Sequence, residues 1–262
     1  MALRSALINV MVRAIEKAGK ALLRDFGEVE QLQVSRKGPK DFVTNADHKS
    51  EKILIEELGR ARPTFGFWLE ESGEINADRP ERWLVDPLDG TSNFLHGLPF
   101  WAISVAAERD GDVIAGVIYE PVTDQMFWAE KGVGAFVNNQ RLRVSARQEI
   151  GDSMVALGMS LISEAKDESQ RADFKAIIDR TAGTRRIGSN ALNMAYTAAG
   201  RFEGFWGNKF KPWDVAAGAL MVREAGGLVT SLEGDTNPVY ATKILASNYH
   251  LHQQFLGIMK AA

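Results

Sequence analysis

The sequence predicts a mixed α/β protein, with an α+β half at the N-terminus and an α/β half behind it. Two observations carry this. Between residues 101 and 137 four apolar runs (101–108, 113–119, 125–130 and 135–137) alternate with the period of a strand. They break at Asp110-Gly111, Pro121 and Gly132, as antiparallel neighbours joined by short turns do. From about residue 170 the pattern changes, and helical stretches at about 170–182 and 189–199 alternate with strand-like ones at 202–206, 228–231 and 243–247. The change of character falls near residue 145, dividing the chain into 1–145 and 146–262.

Taken in order, Leu7, Val10, Met11, Ala14, Ala18, Ala21 and Leu22 share helical spacing, with Arg4, Arg13, Glu16 and Lys17 between them. An acid within the polar face fits a packed first helix better than a targeting segment. Residues 32–47 read as a short strand, a Gly-Pro loop and a helix entered near Thr44, where Thr44 and Asp47 have the spacing of a capping box. The helix, about 45–60, turns Ile53, Leu54 and Leu58 inward and its lysines and glutamates outward. Residues 65–69 form a strand ending in Glu70-Glu71-Ser72-Gly73, and 164–170 read as a polar surface loop.

The stretch that organises the chain is 82–93, Arg-Trp-Leu-Val-Asp-Pro-Leu-Asp-Gly-Thr-Ser-Asn. Trp83, Leu84 and Val85 read as a buried strand stopped by Pro87, which also biases Asp86 away from the helical region. Gly90, Thr91 and Ser92 then offer bare N–H groups and hydroxyls suited to an anion. Two carboxylates, Asp86 and Asp89, would repel that anion unless a cation stood between. Oxygen ligands favour Mg²⁺ or Mn²⁺, and the anion is then a phosphate. Aspartyl-phosphate phosphatases place their two acids two residues apart; here the separation is three, with a proline inside. A metal-activated water is therefore the better reading than a nucleophilic Asp.

Composition narrows the field. The chain has no cysteine, which excludes disulfides, thiolate nucleophiles and Cys-ligated zinc. Its four histidines form no metal-binding pair, and a net charge of −3 gives no footprint for direct nucleic-acid binding. No apolar run is long enough to span a membrane, and the protein reads as cytoplasmic.

Four separated elements resemble the inositol monophosphatase family, above all its bacterial SuhB-like members. They are Lys37-x-x-x-Asp41-x-Val43-Thr44-x-x-Asp47; Glu70-Glu71-Ser72; the 86–92 stretch; and Trp213-Asp214-x-Ala216-x-Gly218 with Gly226-Gly227 eight residues on. The resemblance spans essentially the whole chain and implies an αβαβα layered sandwich, with the active site between the two halves. It implies Glu70, Asp86 and the Leu88 carbonyl on one Mg²⁺, Asp86, Asp89 and Asp214 on a second, and Glu70 on a third. Glu70 and Thr91 would activate the water, and Gly90 and Thr91 N–H groups would hold the phosphate. Gly188, Ser189 and Arg185, from Arg185-Arg186-Ile187-Gly188-Ser189, would meet the substrate, with the leaving oxygen near Asp214. Lithium inhibition and a homodimer follow the family. Taken plainly, Asp214 and Ser189 are also ordinary helix caps.

One position departs from the family. Inositol-specific members carry a glutamate seven residues before the second-signature Asp, where this chain has Gly207. Losing it weakens discrimination among alcohols, and Lys209 and Lys211 add positive charge nearby. This leaves histidinol phosphate, fructose 1,6-bisphosphate or a nucleotide as alternative substrates. A protein-binding role in RNA metabolism, known for some members, is the reading from another class.

Overall fold

The computed structural model describes residues 3–28, 34–38, 41–158, 168–235, 237–241 and 243–260. Helix α1 (Ala6–Phe26) starts where the Ser5 hydroxyl accepts from the Ile8 N–H at 3.2 Å, and buries Ile8, Met11, Ile15, Ala18 and Leu22. An antiparallel hairpin follows, β1 (Val34–Gly38) and β2 (Asp41–Thr44), and leads into α2 (Asn45–Ala61) along α1. The segment expected as a loop before Thr44 is thus a second strand, consistent with its Phe-Val-Thr run. The side chains of Lys37 and Asp41 lie outside the described residues, as do residues 164–167 of the expected surface loop; residues 168–170 already belong to a helix.

Eight strands form the larger sheet: β3 (Gly66–Leu69), β4 (Gly73–Ile75), β5 (Glu81–Asp89), β6 (Ala102–Arg109), β7 (Asp112–Glu120), β8 (Gln125–Glu130), β9 (Gly134–Val137) and β10 (Gln140–Arg141). Their order is β10-β9-β8-β7-β6-β5-β3-β4, antiparallel throughout except β3 beside β5. A short helix, α3 (Thr91–Leu95), joins β5 to β6. Both faces of the sheet are covered, and alternation sorts its side chains. Trp83, Val85, Ile103 and Val105 pack under α1 and α2, while Leu84, Ala102 and Ala106 pack under helices from the second half.

The smaller sheet is built from β11 (Met154–Gly158), β12 (Gly183–Arg185), β13 (Gly204–Asn208), β14 (Leu228–Ser231) and β15 (Lys243–Ser247), in the order β12-β11-β13-β15-β14. β11 is parallel to both neighbours, and β15 is antiparallel to both of its own. Helix α4 (Glu168–Arg180) joins β11 to β12, α5 (Asn190–Ala198) joins β12 to β13, α6 (Pro212–Glu224) precedes β14, and α7 (His252–Lys260) closes the chain. α5 and α6 lie between the two sheets, so α6 is buried along most of its length and carries small residues rather than a polar face. α4 and α7 cover the far side, with Ile177 and Phe255 against Val155, Trp206 and Leu245. The layers therefore run α1/α2, large sheet, α5/α6, small sheet, α4/α7, the five-layer sandwich expected.

His252, the first residue of α7, is fully buried, with Thr230 Oγ1 3.0 Å from Nε2 and Ser247 Oγ 2.8 Å from Nδ1. Burial lowers its pKa from 6.5 to about 4. Between those values the unfolded chain binds a proton that the native imidazole refuses, so stability present above pH 6.5 is lost as pH falls to 4. The loss is on the order of 3 kcal/mol. Urea melts at pH 7 and pH 4 should show His252→Gln losing correspondingly less than wild type. Equal losses would clear His252 as the source.

Candidate active site

The site grows from an irregularity in β5. Asp86 pairs with Ser104 and Asp89 with Ala102, so β5 takes three steps where β6 takes two. Residues three apart in a regular strand face opposite ways; the extra residue at this bulge brings Asp86 and Asp89 to one side. Proline suits a bulge because it has no ladder N–H to lose. The strand expected to stop at Pro87 therefore continues through it to Asp89. The Leu88 N–H donates to Asp86 Oδ1 at 3.0 Å, fixing the carboxylate over the bulge. Gly90 then turns the chain with φ +96, and a Cβ there would lie 2.8 Å from the Phe100 carbonyl oxygen. Only glycine meets both demands.

Helix α2 holds the loops around this bulge. The capping box is present: Asp47 Oδ2 accepts from the Thr44 N–H (2.9 Å) and hydroxyl (2.7 Å). Its other oxygen stands 3.1 Å from Thr91 Oγ1, which is also 3.1 Å from the Leu88 carbonyl. Ser50 Oγ donates to the Pro87 carbonyl at 2.8 Å. Glu51 accepts from the Glu71 N–H at 2.9 Å and from the Ser72 hydroxyl, pinning the turn that presents Glu70. Glu51 was expected on the outward face; it is 2% exposed.

The second half meets the first at Asp89. Its Oδ2 accepts from Ser189 Oγ at 2.5 Å and from the Ala191 N–H at 2.7 Å, at the start of α5. Ser189 also caps that helix, accepting from the Leu192 N–H. Asn93 donates to the carbonyls of Phe100 (2.6 Å) and Ile187 (2.7 Å), tying α3 to the segment before Gly188. Asp214 accepts from the Lys211 N–H at 2.8 Å, so it does cap α6. Arg185 donates to the Thr184 carbonyl at the exposed edge strand, whereas Arg186 lines a crevice beside Gly188.

Electrostatics unites the acids. Burial pushes Asp86 well above the carboxylate range, and Glu70, Asp89 and Asp214 push it further; Glu70 also shares a hydrogen bond with it. Burial lifts Asp89 to about 6 against its hydrogen bonds from Ser189 and the α5 backbone. It lifts Asp214 to about 8, with Asp89 and Glu70 adding to the rise. Asp47 is raised by burial too, although its hydrogen bonds oppose this. A set of acids in which Glu70, Asp89 and Asp214 raise Asp86, and Asp89 and Glu70 raise Asp214, fits a divalent cation, which removes the repulsion, as oxygen donors suited to Mg²⁺. Among the described residues, no three acidic or histidine side chains already stand in closed coordination. Binding would have to draw them inward.

A model of the inositol monophosphatase family matches residues 3–261. The chain belongs to this family. Among relatives of the inositol monophosphatase type, the inositol-1-monophosphatase of Rhizobium meliloti is 51% identical over 95% of this chain and 94% of its own length. The crystal structure of the extragenic suppressor protein suhB from Bartonella henselae superposes with a TM-score of 0.94 at 49% identity, covering 98% and 99% of the two chains. The Nus factor SuhB of Escherichia coli K12 is 36% identical over 97% of this chain and 96% of its own.

Two parts of this family site escaped the sequence reading. Glu51 and Ser50 carried no signal beyond their spacing from Asp47, three and four residues on, which places all three on one side of α2. Asn93 sat inside the central stretch without a role.

Proposed function

We propose that the chain is a Mg²⁺-dependent inositol-phosphate phosphatase, hydrolysing inositol 1-phosphate or a related small phosphate monoester with water. The observation that carries this is the cluster of buried Asp86 and Asp89 with half-buried Glu70 and Asp214 around a bulged strand end, with hydroxyl and N–H donors beside it. Glu70, Asp86 and the Leu88 carbonyl would hold one ion, Asp86, Asp89 and Asp214 a second, and Glu70 would contribute to a third. Mg²⁺, or Mn²⁺ in its place, supplies neutralisation of phosphoryl charge and acidification of a water when bound.

The remaining work belongs to the chain. Asp47 takes the Thr91 hydroxyl proton into a hydrogen bond, leaving an Oγ lone pair to accept from the attacking water. Glu70 orients the same water from the other side. The N–H groups of Gly90 and Thr91, at the left-handed turn into α3, hold the phosphate. Gly188 and Ser189 bound the alcohol, and the leaving oxygen lies beside Asp214; Arg185, expected near the ester, stands instead at the exposed edge strand. The enzyme works as a cytoplasmic homodimer without membrane partners and without direct nucleic-acid binding, the last supported by its acidic balance. No helix among the described residues is long and apolar enough to cross a membrane.

Phosphate release from inositol 1-phosphate tests this. Activity should require Mg²⁺, vanish with EDTA, return with added Mg²⁺ and fall with Li⁺. Thr91→Val should lower kcat by about 10²-fold or more with a smaller change in KM. Wild-type turnover in that variant would refute the role given to Thr91. The name of the Escherichia coli relative favours a second reading, a protein partner in transcription; binding to such a partner with no hydrolysis of any monoester would support it.

A further inference from the structure

Arg82, Leu84 and Asp86 alternate along β5 on one face of the large sheet, and their partners on β6 are Glu108, Ala106 and Ser104. Trp68, two residues before Glu70, pairs with Leu84 from β3. The face is the one that receives α5 and α6. The acids therefore share it with a second polar group, centred on Arg82 and Glu108, about 13 Å back along β5.

This second group joins the two halves of the chain. Glu108 is 1% exposed, and both of its oxygens are engaged: Oε2 accepts from Arg82 Nε at 2.5 Å and Oε1 from the Tyr240 hydroxyl. Tyr240 lies in a 3₁₀ turn (Pro238–Tyr240) between β14 and β15, and its hydroxyl also accepts from Arg82 Nη2 at 2.8 Å. Its ring stacks on Trp68 with centroids 6.0 Å apart, and the Arg82 guanidinium lies 4.9 Å from the centre of the same Trp68 ring. Trp68 in turn meets Trp213 edge to face at 5.9 Å. Trp213 immediately precedes Asp214, and its carbonyl accepts from Ser104 Oγ at 3.3 Å, opposite Asp86. One aromatic contact thus joins the strand that delivers Glu70 to the helix start that delivers Asp214.

We infer that Tyr240, Arg82, Glu108 and Trp68 are positioning residues: they lock the two halves in one register and, through the Trp68–Trp213 contact, set the spacing of Glu70 and Asp214 and with it the affinity for Mg²⁺. The inference rests on the phosphatase reading above. Without metal Glu70 and Asp214 repel each other, so contacts other than the acids must keep their two elements close. Burying an ion pair adds little net stability over apolar residues of the same size, because desolvation offsets the attraction. What the engaged carboxylate and hydroxyl add is direction: their hydrogen bonds hold in one arrangement, whereas apolar contact is non-directional.

Calorimetric titration of the EDTA-treated full chain with MgCl₂, well below its melting temperature, reads the affinity without turnover. Removing a direct hydrogen-bond partner of a metal ligand costs about 10- to 100-fold in affinity; these residues act one contact further out, so Trp68→Leu should raise the Mg²⁺ Kd about fivefold and Tyr240→Phe about threefold. In phosphate release from inositol 1-phosphate, the Mg²⁺ concentration for half-maximal rate should rise by the same factors, with kcat at saturating Mg²⁺ close to wild type. A role in folding alone would lower Tm and leave the Mg²⁺ Kd unchanged, and that result overturns the inference while sparing the phosphatase reading. Tyr240→Phe keeps its ring on Trp68 and decides the question by itself should Trp68→Leu fail to fold. A wild-type protein that neither binds Mg²⁺ nor hydrolyses inositol 1-phosphate removes both readings.

Discussion

Asp86→Asn should reduce Mg²⁺-dependent phosphate release by about 10³-fold or more, while leaving the metal-free protein as stable as wild type or more so. The two halves of this expectation share one cause. Asp86 is 2% exposed and faces Glu70, Asp89 and Asp214, all of which oppose its ionisation. The amide keeps its shape and its oxygen for the Leu88 N–H but removes one negative charge from the cluster. Without metal, that charge is a liability; with metal, it is the reason an ion binds.

The same logic fixes the pH dependence of the EDTA-treated protein. Asp89 and Asp214 are raised to about 6 and about 8, so between the ordinary carboxylate range and those values the folded state binds more protons than the unfolded chain. Stability should therefore fall as pH rises through 6 and 8, and Mg²⁺ should remove the fall. At a Mg²⁺ concentration a hundred times its Kd the gain is about 2.7 kcal/mol. Thermal melts with and without Mg²⁺ measure both effects. An Asp86→Asn protein that retains the full Mg²⁺-induced rise in Tm, or full turnover, would show that the ion sits elsewhere.

The second large effect concerns Gly207. The sequence reading treats it as a missing acid, which invites restoring Glu. The structure places Gly207 within β13, opposite Gly158 of β11, where a Cβ would lie 2.1 Å from the Gly158 carbonyl oxygen and 2.4 Å from the Phe210 ring. Gly207→Glu is thus expected to break the β11–β13 pairing rather than add a sugar contact, destabilising the protein by about 4 kcal/mol or more. Chemical denaturation and phosphate release on inositol 1-phosphate check it. A stable Gly207→Glu enzyme with a lower KM for inositol 1-phosphate would show that the strand can open and that the missing acid was the whole difference.

Much of this protein was legible beforehand, and the legible part has a common character. The strands from 101 to 137, the α/β alternation and the first helix announce themselves through apolar periodicity. The acids of the 86–92 stretch stand out because Pro and Gly bracket them in sequence. What stayed hidden depends on polar groups whose burial periodicity does not register. Ser50 and Glu51 resemble the solvent side of an amphipathic helix, yet both are buried against other loops. Arg185 and Arg186 are neighbours in sequence, and only the path of β12 into α5 decides which faces the crevice. The bulge at Pro87 was equally invisible, because it is a register between two strands rather than a property of either.

The three polar contacts of α2 also set the order in which the enzyme can fail. One helix anchors the Glu70 turn, the Pro87 bulge and the Thr91 hydroxyl, and it is itself clamped to the sheet mainly through α1 and the strands beneath. Release of this N-terminal pair would disarm three parts of the machinery in a single event, with both sheets still standing. If this pair opens before the sheets do, activity is expected to be lost at a lower temperature than the global melt, and activity and circular-dichroism melts run in parallel check it.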